Sequence, residues 1–357
     1  MNIIIDAYLD NNLGDDLMIK LLAGHFPRHR FYIYTNSSVV KNSFSDFKNL
    51  IIKKSEEKQK DLESADVYCT VGGSRFQLVS AKQKYWRLRR LSRLRKIRRN
   101  QTKIVTLGSN FGPYSGKLGV KLTEWEMRKN DLITVRDQEA ADFLQQFKKV
   151  DNYYQADDIV YNLAGVYKSR QPEKNGLGIS AYRSIRSPEH NYSNYKCLAA
   201  LADSYIKKTG KKVKLFAFDT EDENDLAAAC HIYNLAEEKE KIEIIPYLGC
   251  EQSFLEQFEA CETMVAIRFH SAVLADIFEI PFLPVVYSNK MKNFLNDRGY
   301  RGPSFEIREL NLDLNPAALA DTLIKNECLF NTFTGDQHNA CVHFAELEKI
   351  LEKSSRA

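Results

Sequence analysis

Val265-Ala266-Ile267-Arg268-Phe269-His270-Ser271-Ala272-Val273-Leu274 reads as a buried strand that ends in an arginine and a histidine and passes straight into a helix beginning at about Ser271. A strand feeding a helix is half of a βα unit, and the same alternation extends in both directions. Short β-branched runs fall near 2–6, 31–35, 67–71, 103–107 and 131–135, then near 177–180, 213–218, 242–246, 263–268 and 282–287, with amphipathic stretches between them. The pattern predicts an α/β protein with two doubly wound, Rossmann-like domains in tandem. The polar segment 168–176, which contains both Pro172 and Gly176, is expected to link an N-terminal domain over 1–167 to a C-terminal domain over 177–335. A last helix is expected within 336–357. A chain of 357 residues is long enough for two cores, and a cleft between the domains is the natural expectation.

Composition excludes several classes. With 44% hydrophobic residues, 16 Gly and 9 Pro, the chain is neither disordered nor collagenous. Its seven cysteines are scattered and form no C-x-x-C pair, so a zinc ribbon and a disulfide framework are not expected, and reduced, cytoplasmic thiols fit best. The net charge of +4 hides an asymmetry. Between Lys82 and Lys103 there are eleven basic residues and no acidic one, which leaves −7 for the remainder. Tyr85, Leu88, Leu91, Leu94 and Ile97 recur every third residue within this stripe, beside Trp86. Two readings are open: an interfacial helix at an anionic membrane or a lipid-diphosphate acceptor, or a surface helix packed on the sheet through its apolar ribbon. A nucleic-acid partner is not expected, because no recognition motif accompanies the patch.

Open parallel sheets bind ligands outside the carboxyl ends of their strands, where helix N-termini offer free N–H groups. The unusual residues cluster there: Asn11-Asn12-Leu13-Gly14-Asp15-Asp16, Gly72-Gly73-Ser74, Gly108-Ser109-Asn110-Phe111-Gly112-Pro113, Arg136-Asp137, Ser180-Ala181-Tyr182-Arg183 and Arg268-Phe269-His270-Ser271. Arg268, His270 and the N–H groups near Ser271 bring a cation, an imidazole and a helix terminus together, which suits an anion and a proton transfer. The alternative there is a structural histidine beside an arginine paired with Asp or Glu. The acidic run Asp219, Glu221, Asp222, Glu223 and Asp225 is expected to cap a helix through its dipole rather than bind metal. The histidines show no metal-ligand spacing, and neither a metal nor a cofactor is expected.

These motifs, in this order, resemble those of the polysaccharide pyruvyl transferase family. Asn12-Leu13-Gly14-Asp15-Asp16, Val71-Gly72-Gly73-Ser74, Leu107 to Pro113, Val135-Arg136-Asp137, Ala156-Asp157, Gly178-Ile179-Ser180 and Arg268 to Ser271 carry the likeness over about residues 1 to 300. The resemblance implies two α/β domains facing a cleft, as in GT-B glycosyltransferases. It also implies phosphoenolpyruvate as donor and a sugar of a surface polysaccharide, or of its lipid-linked precursor, as acceptor. Arg136 and His270 match the family's catalytic pair, and Arg268, Ser271 and Arg183 are expected to bind the donor. Asn12, Gly14, Asp15, Gly73, Ser74 and Asn110 are expected on the acceptor side. Two departures stand out: a run of two glycines followed by Ser74-Arg75, and Gly108-Ser109-Asn110 in place of Gly-x-Gly.

Two other functions fit the same fold. One is a GT-B glycosyltransferase with a nucleotide-sugar donor, for which Glu251, Glu256 and Glu259 are available carboxylates. The other is a non-catalytic scaffold held at the membrane by the basic stripe. The expected location is cytoplasmic and peripheral to the inner membrane face.

Overall fold

A computed structural model describes residues 1–72, 76–185, 187–325 and 338–355. The chain divides into two compact units, one comprising Met1–Leu9, Asp15–Val166 and Gln337–Ala357, the other Asp10–Gly14 and Tyr167–Asp336.

The first unit contains β1 (Asn2–Asp6), β2 (Arg30–Tyr34), β3 (Leu50–Lys53), β4 (Val67–Val71), β5 (Phe76–Leu78), β6 (Lys103–Ser109), β7 (Phe111–Tyr114), β8 (Leu132–Val135) and β9 (Tyr153–Gln155). Seven of them form a parallel sheet in the order β3-β2-β1-β4-β6-β8-β9, while β5 and β7 pair separately. The second unit contains β10 (Leu177–Ser180), β11 (Val213–Ala217), β12 (Ile242–Pro246), β13 (Thr263–Ala266), β14 (Phe282–Val286) and β15 (Phe305–Glu306), in the order β12-β11-β10-β13-β14-β15. In both sheets the winding direction reverses once, between β1 and β4 and between β10 and β13. Such a reversal splays the two adjoining loops apart and leaves a crevice at their carboxyl ends.

Central strands β4, β8, β10, β13 and β14 are buried at every position, as expected for parallel strands covered by helices on both faces. The sequence did not announce β3, β5, β7, β9 and β15: β3, β9 and β15 are edge strands of two to four residues, and β5 and β7 pair outside the main sheet. The α/β architecture with parallel sheets is the expected one.

Two expected boundaries change in character. Segment 168–176 is anchored within the second unit: Ser169 Oγ donates to Glu259, Lys174 Nζ to the Phe278 carbonyl at 2.9 Å, and the Asn175 N–H to the Ala260 carbonyl at 2.8 Å. The C-terminal helix Val342–Ser355 packs on β6 and β8 of the first unit, burying Phe344, Leu347 and Leu351.

The basic stripe forms one helix, Ala81–Arg99, opened by a reciprocal capping pair between Ser80 and Gln83. Its apolar ribbon drifts around the axis, because a three-residue spacing falls short of the 3.6-residue turn. Leu94 and Ile97 therefore reach a core with Ile4, Tyr68 and Ile104, each contributing about 1.5–3 kcal/mol, whereas Tyr85 and Leu88 face outward. Arg87 and Arg90 also turn inward, both to Glu126, with Arg90 reaching Asp6 as well. No helix among the described residues is long and apolar enough to cross a membrane.

Candidate functional site

In the second unit, the winding reverses between β10 and β13, and the loops after these two strands meet there. The chain leaves β13 at Ala266 and starts a helix at Phe269, two residues earlier than expected, with Arg268 extended at its N-cap. This start changes the role of Ser271. Its N–H and its hydroxyl both bond the Arg268 carbonyl, at 2.9 and 2.5 Å, and the residue is fully buried. Ser271 closes the first helical turn instead of presenting a donor to an anion.

Arg268 is likewise committed to protein partners. Its Nε and Nη2 donate to the two oxygens of Asp225 at 2.7 and 2.5 Å, Nη1 pairs with Glu223, and the guanidinium lies 4.7 Å from the centre of the Tyr182 ring. Its backbone N–H donates to Ser180 Oγ at 3.1 Å, joining the ends of β10 and β13. A buried guanidinium held bidentately is a fixed structural charge. Arg268, expected to clamp the donor, ties its own loop to β10 and to Asp225.

The acidic run explains that charge. Asn224, not an acid, caps the helix Asp225–Leu235, its side chain accepting from the Ala227 N–H at 3.0 Å. Asp225 faces Arg268, while Asp219 Oδ1 accepts the N–H groups of Glu221, Glu223 and Asn224 at 3.1, 3.1 and 3.3 Å. Burial pushes the Asp219 pKa upward, against the opposing pull of Arg268 and Asn12. No group of three or more His, Cys, Asp or Glu residues with metal-binding geometry occurs among the described residues.

Segment Asp10–Gly14 belongs to this unit and brings two sequence candidates to the same place. Asn12 pairs with Asp219 as an isolated antiparallel bridge, and the Leu13 N–H donates to the Phe218 carbonyl at 3.0 Å. The side chain of Asn12 accepts the Gly14 N–H at 3.1 Å, at the start of the helix Leu13–His25. His270, largely buried, rests against that helix start. A side-chain carbon at position 14 would lie 1.8 Å from Nδ1 of His270, so only glycine leaves room for the imidazole. Gly14 is thus part of the histidine's seat. Arg183 is exposed, and its N–H donates to Asp225 Oδ1 at 3.4 Å.

In the first unit, Arg136 follows β8 and Asn110 follows β6. Arg136 Nη1 donates to Asp158 at 2.7 Å and Nη2 to Asn110 Oδ1 at 3.2 Å, with both charged side chains 3% exposed. Asp158 also accepts the Val160 N–H at 3.0 Å, which fixes it from the other side. Asp15 lies in the first turn of its helix, 3.1 Å from where a side-chain carbon on Gly72 would sit. Gly72 has φ +97°, a conformation natural to glycine. Gly73 and Ser74 lie outside the described residues.

His343 gave no signal in sequence, since its partners are remote from it along the chain. Fully buried, it meets Thr134 Oγ1 at 2.6 Å through Nδ1 and the Asp157 carbonyl at 2.7 Å through Nε2. A carbonyl only accepts, so the hydrogen-bond network assigns the proton to Nε2 and leaves Nδ1 to accept from Thr134. Burial lowers the pKa of His343 and keeps it neutral.

The arrangement coincides with known proteins at two levels. The model of one family, polysaccharide pyruvyl transferase, matches residues 12–289. Among solved structures, the chain is similar to a Staphylococcus aureus MnaA–UDP complex with TM-score 0.65, 12% identity and coverage of 99% of this chain and 96% of that one. A putative UDP-N-acetylglucosamine 2-epimerase from Listeria monocytogenes gives 0.64 at 10% identity over 99% and 96% of the two chains. Anabaena Alr3699/HepE in complex with UDP-glucose gives 0.58 at 12% identity over 100% and 99%. At these identities the likeness establishes the fold alone, which is the GT-B type. No curated protein matches the chain.

Proposed function

We propose, from the premise that this chain belongs to the polysaccharide pyruvyl transferase family, that it transfers pyruvate from phosphoenolpyruvate to two hydroxyls of one sugar, forming a ketal. The acceptor is a sugar of a surface polysaccharide or of its lipid-linked precursor. In this reaction C3 of the donor takes up a proton and becomes a methyl group. The two hydroxyl oxygens bond to C2, each losing its proton, while the C2–O bond to phosphate breaks; one of those protons balances the one gained at C3 and the other departs on the inorganic phosphate. The protein must accordingly stabilise a carboxylate and a phosphate and move protons near neutral pH.

His270 is assigned the proton transfer and Arg136 the donor's negative charge. Support for His270 comes chiefly from one observation: its imidazole displaces every possible side chain at position 14. A protein that packs a titratable ring against a helix start, and supports it with a buried Arg268–Asp225 pair, has fixed that ring's position at a structural cost. Pre-organisation of this kind suits an acid–base group. Arg268 acts as a positioning residue, and Arg183, exposed beside the same crevice, is the cation of this unit assigned to the donor. Asp158 and Asn110 hold the Arg136 guanidinium in one plane, which favours recognition of a planar carboxylate. Asn12, Gly14, Asp15 and Asn110 remain assigned to the acceptor side, with Asn110 also orienting Arg136.

A nucleotide-sugar donor has less support. Of the three carboxylates available for a ribose, Glu259 is buried and accepts from Tyr167 at 2.6 Å and from Ser169, Glu256 pairs with Arg170, and Glu251 is half-buried in the first turn of its helix. Thermal shift separates the donors, because a ligand selective for the folded state raises the melting temperature. Phosphoenolpyruvate is expected to raise it and nucleotide sugars to leave it unchanged; the reverse pattern would overturn the reading.

A further inference from the structure

We infer that the outward face of the helix Ala81–Arg99 docks the protein on an anionic lipid bilayer. Folding divides the residues of this helix by function. Arg87, Arg90, Leu91, Leu94 and Ile97 turn inward and are satisfied by Glu126, Asp6 and the core. On the outside, Lys82, Trp86, Arg89, Arg93 and Lys96 follow one another at alternating four- and three-residue steps, which places them in one stripe along the exposed face. Tyr85 and Leu88 flank that stripe.

The two halves of this face differ in chemistry. Toward the N-terminus, Tyr85, Trp86 and Leu88 are 55%, 53% and 49% exposed, with the Tyr85 and Trp86 rings 5.6 Å apart, on a surface that gains nothing from showing them to water. Arg89 lies over the Trp86 ring at 5.5 Å. Toward the C-terminus Arg93, Arg95, Lys96 and Arg99 are exposed, as is Arg98, which pairs with Asp131 at 2.8 Å, and the helix carries no acidic side chain at all. Helix Gly116–Met127, packed beside it, exposes Leu118 and Trp125 with Lys121 over the Trp125 ring at 5.7 Å.

Charge and apolarity together select the occupant. A polynucleotide stacks its bases along a basic groove and a protein partner seats residues such as Tyr85, Trp86 and Leu88 in a fitted pocket, whereas these stand on the outer face of a helix. A bilayer with acidic headgroups meets both requirements: aromatic rings settle at the headgroup level, and basic residues gain from the negative surface potential. This inference concerns a surface remote from His270 in sequence and does not depend on the transfer reaction.

Co-sedimentation of the full chain with vesicles tests it. Binding is expected to vesicles of phosphatidylcholine mixed with phosphatidylglycerol, not to phosphatidylcholine alone, and to weaken as salt rises. Each neutralised cation near the surface is worth about fivefold in partitioning, so Arg89→Glu, Arg93→Glu and Lys96→Glu together are expected to lower it by about 100-fold or more. Tyr85→Ser with Trp86→Ser should weaken binding to the same vesicles while preserving the melting temperature, since both side chains are exposed. Absence of binding to the acidic vesicles at low salt, or equal binding by the triple variant, would overturn the inference. So would preference for an RNA homopolymer or polyglutamate over vesicles at matched salt.

Discussion

Each unit of this molecule sets an arginine and a histidine at the carboxyl edge of a sheet with the same strand order, yet the two edges are built for different ends. At the second, Arg268 is locked by Asp225 and Glu223, and His270 presses against the backbone of Gly14. At the first, Arg136 is held by Asp158 and Asn110, and His343 has both ring nitrogens engaged by Thr134 and the Asp157 carbonyl. A histidine enclosed on both sides is a fastening. The ring seated against Gly14 is the one proposed above to move protons. Residue type does not separate the two; the treatment of the ring does.

The comparison breaks most visibly if the two histidines are exchanged in importance. His270→Ala is expected to lower pyruvyl transfer by about 10²–10⁴-fold with little change in melting temperature, measured as phosphate release from phosphoenolpyruvate in the presence of acceptor. An undiminished rate would remove His270 from the chemistry.

Asp225→Ala leaves Arg268 buried without its bidentate partner and should destabilise the protein by about 3–5 kcal/mol, read by denaturant unfolding. Joint replacement of Arg268 and Asp225 by apolar residues of similar size should restore most of that stability while activity stays low. Such a split would establish Arg268 as a residue that positions the loop.

Gly14→Ala forces the imidazole from its seat. Overpacking of this sort costs about 1–3 kcal/mol, and a displacement near 1 Å at a reacting group can cost about 100-fold in rate. Wild-type activity in this variant would mean that the ring can move without consequence.

The smallest effect belongs to the first unit. Because burial lowers the pKa of His343, the unfolded chain takes up the proton first as pH falls below the ordinary histidine value. Stability contributed by neutral His343 is therefore complete above about pH 6.5 and declines below it, by up to about 1.4 kcal/mol per pH unit. His343→Gln should flatten that part of the stability profile and leave transfer nearly unchanged.

Much of this was legible in the chain itself. Buried parallel strands announce themselves as unbroken apolar runs, so β4, β10 and β13 and the loops after them were readable, and the motif order led to the family. What escaped detection depends on contacts between residues far apart in sequence. The acidic run around Asp219 and Asp225 has the look of a helix cap until Arg268 arrives from 43 residues away. Ser271 looks like a donor until the helix starts two residues early. His343 carries no pattern because its partners Thr134 and Asp157 lie 209 and 186 residues earlier. The drift of the basic helix, by contrast, follows from its three-residue spacing alone, and which side chains it leaves outside needed only the position of the sheet.

The transfer itself is tested most directly by incubating the protein with phosphoenolpyruvate and a panel of glycosides in deuterated water, then examining the sugar by mass spectrometry and proton NMR. The account predicts phosphate release matched by a sugar bearing a ketal-linked methyl group that carries one solvent deuterium, with both signals lost in His270→Ala. Turnover of a nucleotide sugar in place of phosphoenolpyruvate, or a ketal formed equally well by the variant, would contradict it.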